Sequence, residues 1–165
     1  MTAQIGDRLL LEGKDYSLAT CPSMPWHHAR FRKLTDKELA STSGGRVFST
    51  ACWRRYVAHW AIRGDRLFLE EIEGIYRLDG ESPLFADWVT ETLQVPQGPM
   101  LSYVHMGFGS IFERDLFLNV KMGIVESRHE VSNKAVSEHE AWLRGGDHLP
   151  SIDTITPGLG GKRQS

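Results

Sequence analysis

Long apolar runs are missing from this sequence, and so are the spacings that announce a metal or phosphate site. No window approaches the roughly 18 apolar residues that a membrane-spanning helix needs. Only two cysteines, Cys21 and Cys52, occur in 165 residues. That is too few for a disulfide framework and fits a reducing compartment, and whether the two ever pair stays open. Positive charge is not in excess either: 19 Lys and Arg against 21 Asp and Glu leave a net charge of −2. General nucleic-acid binders carry a marked basic surplus, so that class is not expected. The opening MTAQIGDRLLLEG has a three-leucine run with an acidic residue before it, so neither a signal peptide nor an anchor is expected. A cytoplasmic protein follows as the expectation.

What is present is ordinary globular composition, 41% hydrophobic and 24% charged. The length suits one domain that buries a core without metals or disulfides. A single β-rich domain is expected over residues 1–146, with a flexible tail over 147–165 rich in Gly, Pro and polar residues.

The chain is organised around Ala51 to Asp79, ACWRRYVAHWAIRGDRLFLEEIEGIYRLD. Two runs rich in Trp, Tyr, Val, Ile, Leu and Phe flank Gly64-Asp65, a two-residue loop of the kind that favours a primed hairpin turn. Pairing Arg63 with Arg66 places Ile62 opposite Leu67, Trp60 opposite Leu69, Ala58 opposite Glu71 and Tyr56 opposite Glu73 on one side. That side is apolar near the turn and polar toward Arg54 and Glu73, as in a barrel or curved sheet with a polar mouth.

Elsewhere a hairpin over Asp7–Leu11 and Lys14–Ala19 turns at Glu12-Gly13. Cys21 to Lys33 reads as a surface loop, where Trp26, His28, Arg30, Phe31 and Arg32 interleave cations with stacking groups. Thr35 and Glu38 form a capping box for a short helix over Asp36–Ala40. Ser82 to Asp87 reads as one helical turn. A strand over Trp88–Val95 stops at Pro96-Gln97-Gly98-Pro99. Leu101 to Glu113 is an aromatic run broken by glycines. Asp115–Lys121 and Ile124–Glu130 form a closing hairpin, and Ser132 caps a helix over Ala135–Arg144 that ends at Gly145-Gly146. The fold class expected is mainly β: an antiparallel barrel-like or strongly curved sheet of about seven strands with a short C-terminal helix.

Site chemistry is sparse. The adjacent His27 and His28 point opposite ways in an extended chain, and no HExxH or CxxC occurs. No cofactor and no metal are therefore expected. Gly107-Phe108-Gly109-Ser110 offers backbone N–H groups to an anion, but lacks the Gly-Lys-Ser/Thr ending of a P-loop. Ser110 stands near His105 without a GxSxG elbow, and Cys52 sits mid-strand, where an inert thiol is the usual outcome. The strongest constellation gathers Glu71, Glu73, His105 and Glu113 as carboxylate and imidazole groups for acid and base roles. Arg54, Tyr56, His59, Gly107, Gly109 and Ser110 are the candidate ligand-binding residues. Its alternative is a solvated sheet face of cross-strand charge pairs.

Ala51-Cys52-Trp53-Arg54 with Trp60 and Ile62, then Phe85-Ala86-Asp87-Trp88, Val95-Pro96-Gln97-Gly98 and Tyr103-Val104-His105-Met106-Gly107-Phe108-Gly109-Ser110, form a pattern from about Ile5 to Val131. It resembles a widespread family of uncharacterised bacterial proteins. The resemblance implies a bacterial, single-domain, cytoplasmic protein and carries over no catalytic residue. Two readings follow. One is a small soluble binding module, like immunity proteins and antitoxins by analogy of class, that holds a partner protein or small ligand at the polar end of its sheet. The other is an enzyme acting on a small polar or nucleotide-like substrate.

Overall fold

The computed structural model describes residues 3–42, 50–105 and 107–134. Among these lie ten strands and one short helix: β1 (Arg8–Leu11), β2 (Lys14–Ser17), β3 (Phe31–Lys33), α1 (Asp36–Ala40), β4 (Tyr56–Arg63), β5 (Arg66–Gly74), β6 (Tyr76–Leu78), β7 (Leu84–Phe85), β8 (Glu91–Ser102), β9 (Ile111–Lys121) and β10 (Ile124–Ser132). An eight-stranded sheet runs in the order β2-β1-β4-β5-β10-β9-β8, with β7 on β5, and β3 and β6 form a separate pair.

The mainly β character stands, but a closed antiparallel barrel does not form. The sheet is mixed, because β1 lies parallel to β4 in the register Leu9 to Trp60 and Leu11 to Ile62. It is also open: β2 and β8 end the path. Where the chain leaves β2, one backbone bond reaches β8, from Ala19 N–H to the Gln94 carbonyl at 3.0 Å. The physical reason for the break lies at β5. Its outer edge meets β10 only at Arg66 and β7 only at Phe68 and Leu69, so the two halves of the sheet touch near their turns and then diverge. The helix expected over Ala135–Arg144 lies outside the described residues, as does the tail over 147–165.

The central hairpin forms where expected. Gly64 and Asp65 both take positive φ, +55° and +61°, the signature of a primed turn whose twist matches paired strands. From Arg63–Arg66 to Trp60–Leu69 the register is the expected one. Beyond it a bulge at Glu70 slips the pairing by one residue, so that His59 faces Glu71, Ala58 faces Ile72, Val57 faces Glu73 and Tyr56 faces Gly74. Because side chains alternate along a strand, the slip moves Glu71 and Glu73 off the face carrying Tyr56, Ala58, Trp60 and Ile62. That face is the core. It packs with Leu9, Leu11, Leu67, Leu69, Leu93, Val95, Leu118 and Val120.

Two further expectations shift. Pro96 does not end β8; the strand continues to Ser102 through register irregularities at Gln97 and Met100. An edge strand tolerates proline because its outward N–H has no partner to lose. Residues 84–85 pair with β5 as a strand instead of forming a helical turn. At Gly123, with φ of +78°, a Cβ would stand 2.7 Å from the Ala86 carbonyl oxygen. The β9–β10 turn can therefore pack this closely on Ala86 only without a side chain.

Candidate binding groove

A groove of about 1060 Å³ runs beside β5, lined by Glu38 from α1, Arg63 from β4, Glu70 to Gly74 from β5, Tyr76 to Leu78 from β6, and Pro83. The lining by five consecutive β5 residues is informative. A cavity over one sheet face would touch alternate residues, whereas this one follows the strand's edge. That edge is free among the described residues, because the ladder to β7 stops at Leu69 opposite Leu84.

The groove is acidic. It carries Glu38, Glu70, Glu71 and Glu73 against Arg63 and Arg77. Arg63 pairs with Glu70. Glu73 Oε1 stands 2.8 Å from His59 Nε2, but out of line, so that Nε2 makes no hydrogen bond. Glu71 has no ion-pair or hydrogen-bond partner among the described residues.

One wall is rigid for a local reason. Thr35 caps α1 in a reciprocal capping box with Glu38. The Arg32 guanidinium then grips the Glu38 carboxylate through two bonds of 3.0 and 2.8 Å and reaches Asp79 with Nε at 2.6 Å. The Arg32 hydrogen bonds, followed by those from Thr35, pull the Glu38 carboxyl down from 4.5 to about 2. A depressed carboxyl pKa contributes stability that is complete above the ordinary value and is lost as pH falls through the folded one. Nuclear magnetic resonance should therefore follow Glu38 titrating near 2, with α1 loosening below about pH 4, and Arg32→Gln should move the midpoint up toward 4.5. A midpoint near 4.5 in the unmodified protein would refute this wall.

Arg54 and Tyr56 lie elsewhere, around Asp7, a residue the sequence reading passed over. The Asp7 side chain is 0% exposed. It accepts from Arg54 Nη1 at 2.7 Å, the Ala58 N–H at 3.1 Å and Trp60 Nε1 at 3.0 Å. Arg54 also donates to the Ile5 carbonyl at 3.1 Å, and its guanidinium lies 4.8 Å from the centre of the Tyr56 ring. Burial alone would lower the Arg54 pKa, but Asp7 holds it above its usual value. Burial raises Tyr56 against the opposing hydrogen bond from Arg54. It also raises the Cys21 thiol, again with Arg54 opposing, so neither group is set up as an anionic nucleophile. Cys52 is buried and donates to the Tyr56 carbonyl at 3.3 Å. This cluster ties the N-terminal strand to β4. The one signal in sequence was a lone carboxylate placed directly before a leucine strand.

The glycine segment is separate again. The Gly107 carbonyl accepts from Gln4 N–H at 2.8 Å, and Ser110 Oγ closes its own loop on Val104 N–H at 3.1 Å. Gly107 and Ser110 thus tie down backbone, and Gly109 is an exposed loop residue. His105 is exposed and meets Tyr103 edge-on at 4.5 Å. Glu113 pairs with Lys134 at 3.1 Å. Of the four candidate acid and base groups only Glu71 and Glu73 share a surface; His105 and Glu113 do not join it. No three His, Cys, Asp or Glu residues stand together as a metal site among the described residues. Residues 31–33, expected in a surface loop, form β3 instead, where Phe31 is buried against Tyr76 and Trp26, while Trp26, in the loop before it, is 52% exposed.

An open, mixed β-sheet with an acidic groove along one strand edge defines the class. No helix among the described residues is long and apolar enough to cross a membrane. No family model, curated protein or solved structure matches the chain.

Proposed function

We propose that this chain is a binding protein of the bacterial cytoplasm and that the groove beside β5 holds its partner. One observation carries the reading: four glutamates and two arginines line a single groove, and Glu71 there lacks a counter-charge within the described residues. Uncompensated carboxylates in a concave surface attract and orient cationic groups. The enzymatic alternative called for His105 and Glu113 beside Glu71 and Glu73, and neither lines the groove.

A hexa-arginine peptide serves as the probe. On titration, backbone amide shifts should concentrate between Glu70 and Gly74. The double variant Glu71→Gln/Glu73→Gln should bind it about tenfold more weakly, corresponding to about 1.4 kcal/mol for two partly exposed charges. Both side chains are exposed, so the variant should fold normally. Unchanged affinity, or shifts centred on β8 and β9, would remove the groove from consideration.

A further inference from the structure

We infer that the occupant of the groove is an extended, basic peptide segment of another protein, which adds itself as a strand to the free edge of β5. The inference rests on the binding reading above and specifies its partner. Three observations combine. The first is the edge. β5 is a nine-residue strand, Arg66 to Gly74, paired with β4 on one side along its length except at the Glu70 bulge. On the other side it meets β10 at Arg66 and β7 at Phe68 and Leu69, and no strand beyond, among the described residues. An unpaired strand edge presents backbone donors and acceptors that a peptide can complete.

The second is the space beside it. The groove follows that same stretch, Glu70 to Gly74, and is lined as well by Tyr76 to Leu78, Gly80 and Pro83. Its volume of about 1060 Å³ is on the scale of a short peptide segment, and a strand added there would lie about 4.8 Å from the β5 backbone.

The third is charge, which selects the occupant. Two β5 edges brought together would set Glu70, Glu71 and Glu73 of one copy against the same carboxylates of the other. Like charges directly opposite one another destabilise a strand pair, so a second copy of this chain is disfavoured. A strand carrying Arg or Lys at alternate positions instead places cations against Glu71 and Glu73, which sit on one face two residues apart. Backbone bonds would then supply affinity and the glutamates the selection.

The test uses the full chain and three probes of equal or similar charge: an alternating arginine–valine peptide, the same peptide N-methylated at every second amide, and spermidine. Affinity is read by calorimetry, and amide hydrogen exchange is followed between Glu70 and Glu73. The inference expects the unmodified peptide to bind and to slow exchange at those amides. N-methylation should weaken it about tenfold at unchanged charge, because it removes the edge hydrogen bonds, and spermidine should slow no amide. If the methylated and unmethylated peptides bind equally and both depend on Glu71 and Glu73, strand addition is overturned while the groove remains the binding site. If neither peptide depends on Glu71 and Glu73, both readings fall together.

Discussion

Asp7→Ala is expected to cost about 3–5 kcal/mol of folding stability, the range for removing one partner of a buried ion pair. The carboxylate is wholly buried and has three donors pointing at it, from Arg54, from the Ala58 backbone and from Trp60. Truncation leaves all three without an acceptor. The two in the core cannot turn to water, and each orphaned buried donor costs about 1–3 kcal/mol. Asp7→Asn is a sharper probe of charge: it keeps the volume, but its amide nitrogen faces a donor. It should remain clearly destabilising, and pairing Asp7→Ala with Arg54→Met should recover part of the loss by removing the unpaired cation. Urea melts with an unchanged m-value would report these differences as stability. A loss below about 1 kcal/mol for Asp7→Ala would mean that the cluster contributes little to the fold. Since whole domains are stable by only about 5–15 kcal/mol, the expected loss is a large share of the total.

Trp60→Ala is expected to cost about 3–5 kcal/mol, as truncations of buried large aromatics do. The ring is 1% exposed. Its strand neighbours are Leu9 on the parallel side and Leu69 on the antiparallel side, and its ring centre lies 6.4 Å from that of Trp88. Trp60→Phe separates two contributions. It fills most of the same space but removes the bond from Nε1 to Asp7, so it should cost about 1–3 kcal/mol. Because Asp7 and Trp60 share that bond, their double variant should be less destabilised than the two losses added together. Equal and additive losses would show the hydrogen bond to be energetically idle.

The contrast between Trp60 and Glu71 shows where residue-level reading reaches its limit. Both belong to one hairpin, and counting back from the Gly64-Asp65 turn places Trp60 on the core face, as found. The same counting, carried past Glu70, places Glu71 and Glu73 on that face too, and the bulge reverses it. A bulge is one extra residue, and no residue type in LEEIE announces it. Arg54 and Tyr56 lie away from the groove for a related reason: the partner that claims Arg54, Asp7, lies 47 positions earlier. Only shared chemistry joins His105 and Glu113 to β5 in the sequence; the fold seats them beside Tyr103 and Lys134.

The sequence by itself determined the local devices. The primed turn at Gly64-Asp65, the Thr35–Glu38 capping box and the hairpins at Glu12-Gly13 and Met122-Gly123 each involve residues within a few positions of one another, where backbone preference and short-range hydrogen bonds decide. The tertiary structure decided the parallel seating of β1 on β4, the burial of Asp7 and, among the described residues, the free edge of β5. Each depends on which distant segment arrives beside a strand, a competition among long loop closures and packing partners that local pattern does not record. The groove belongs to this second group: its glutamates are plain in the sequence, and the unpaired edge between them is a product of the fold.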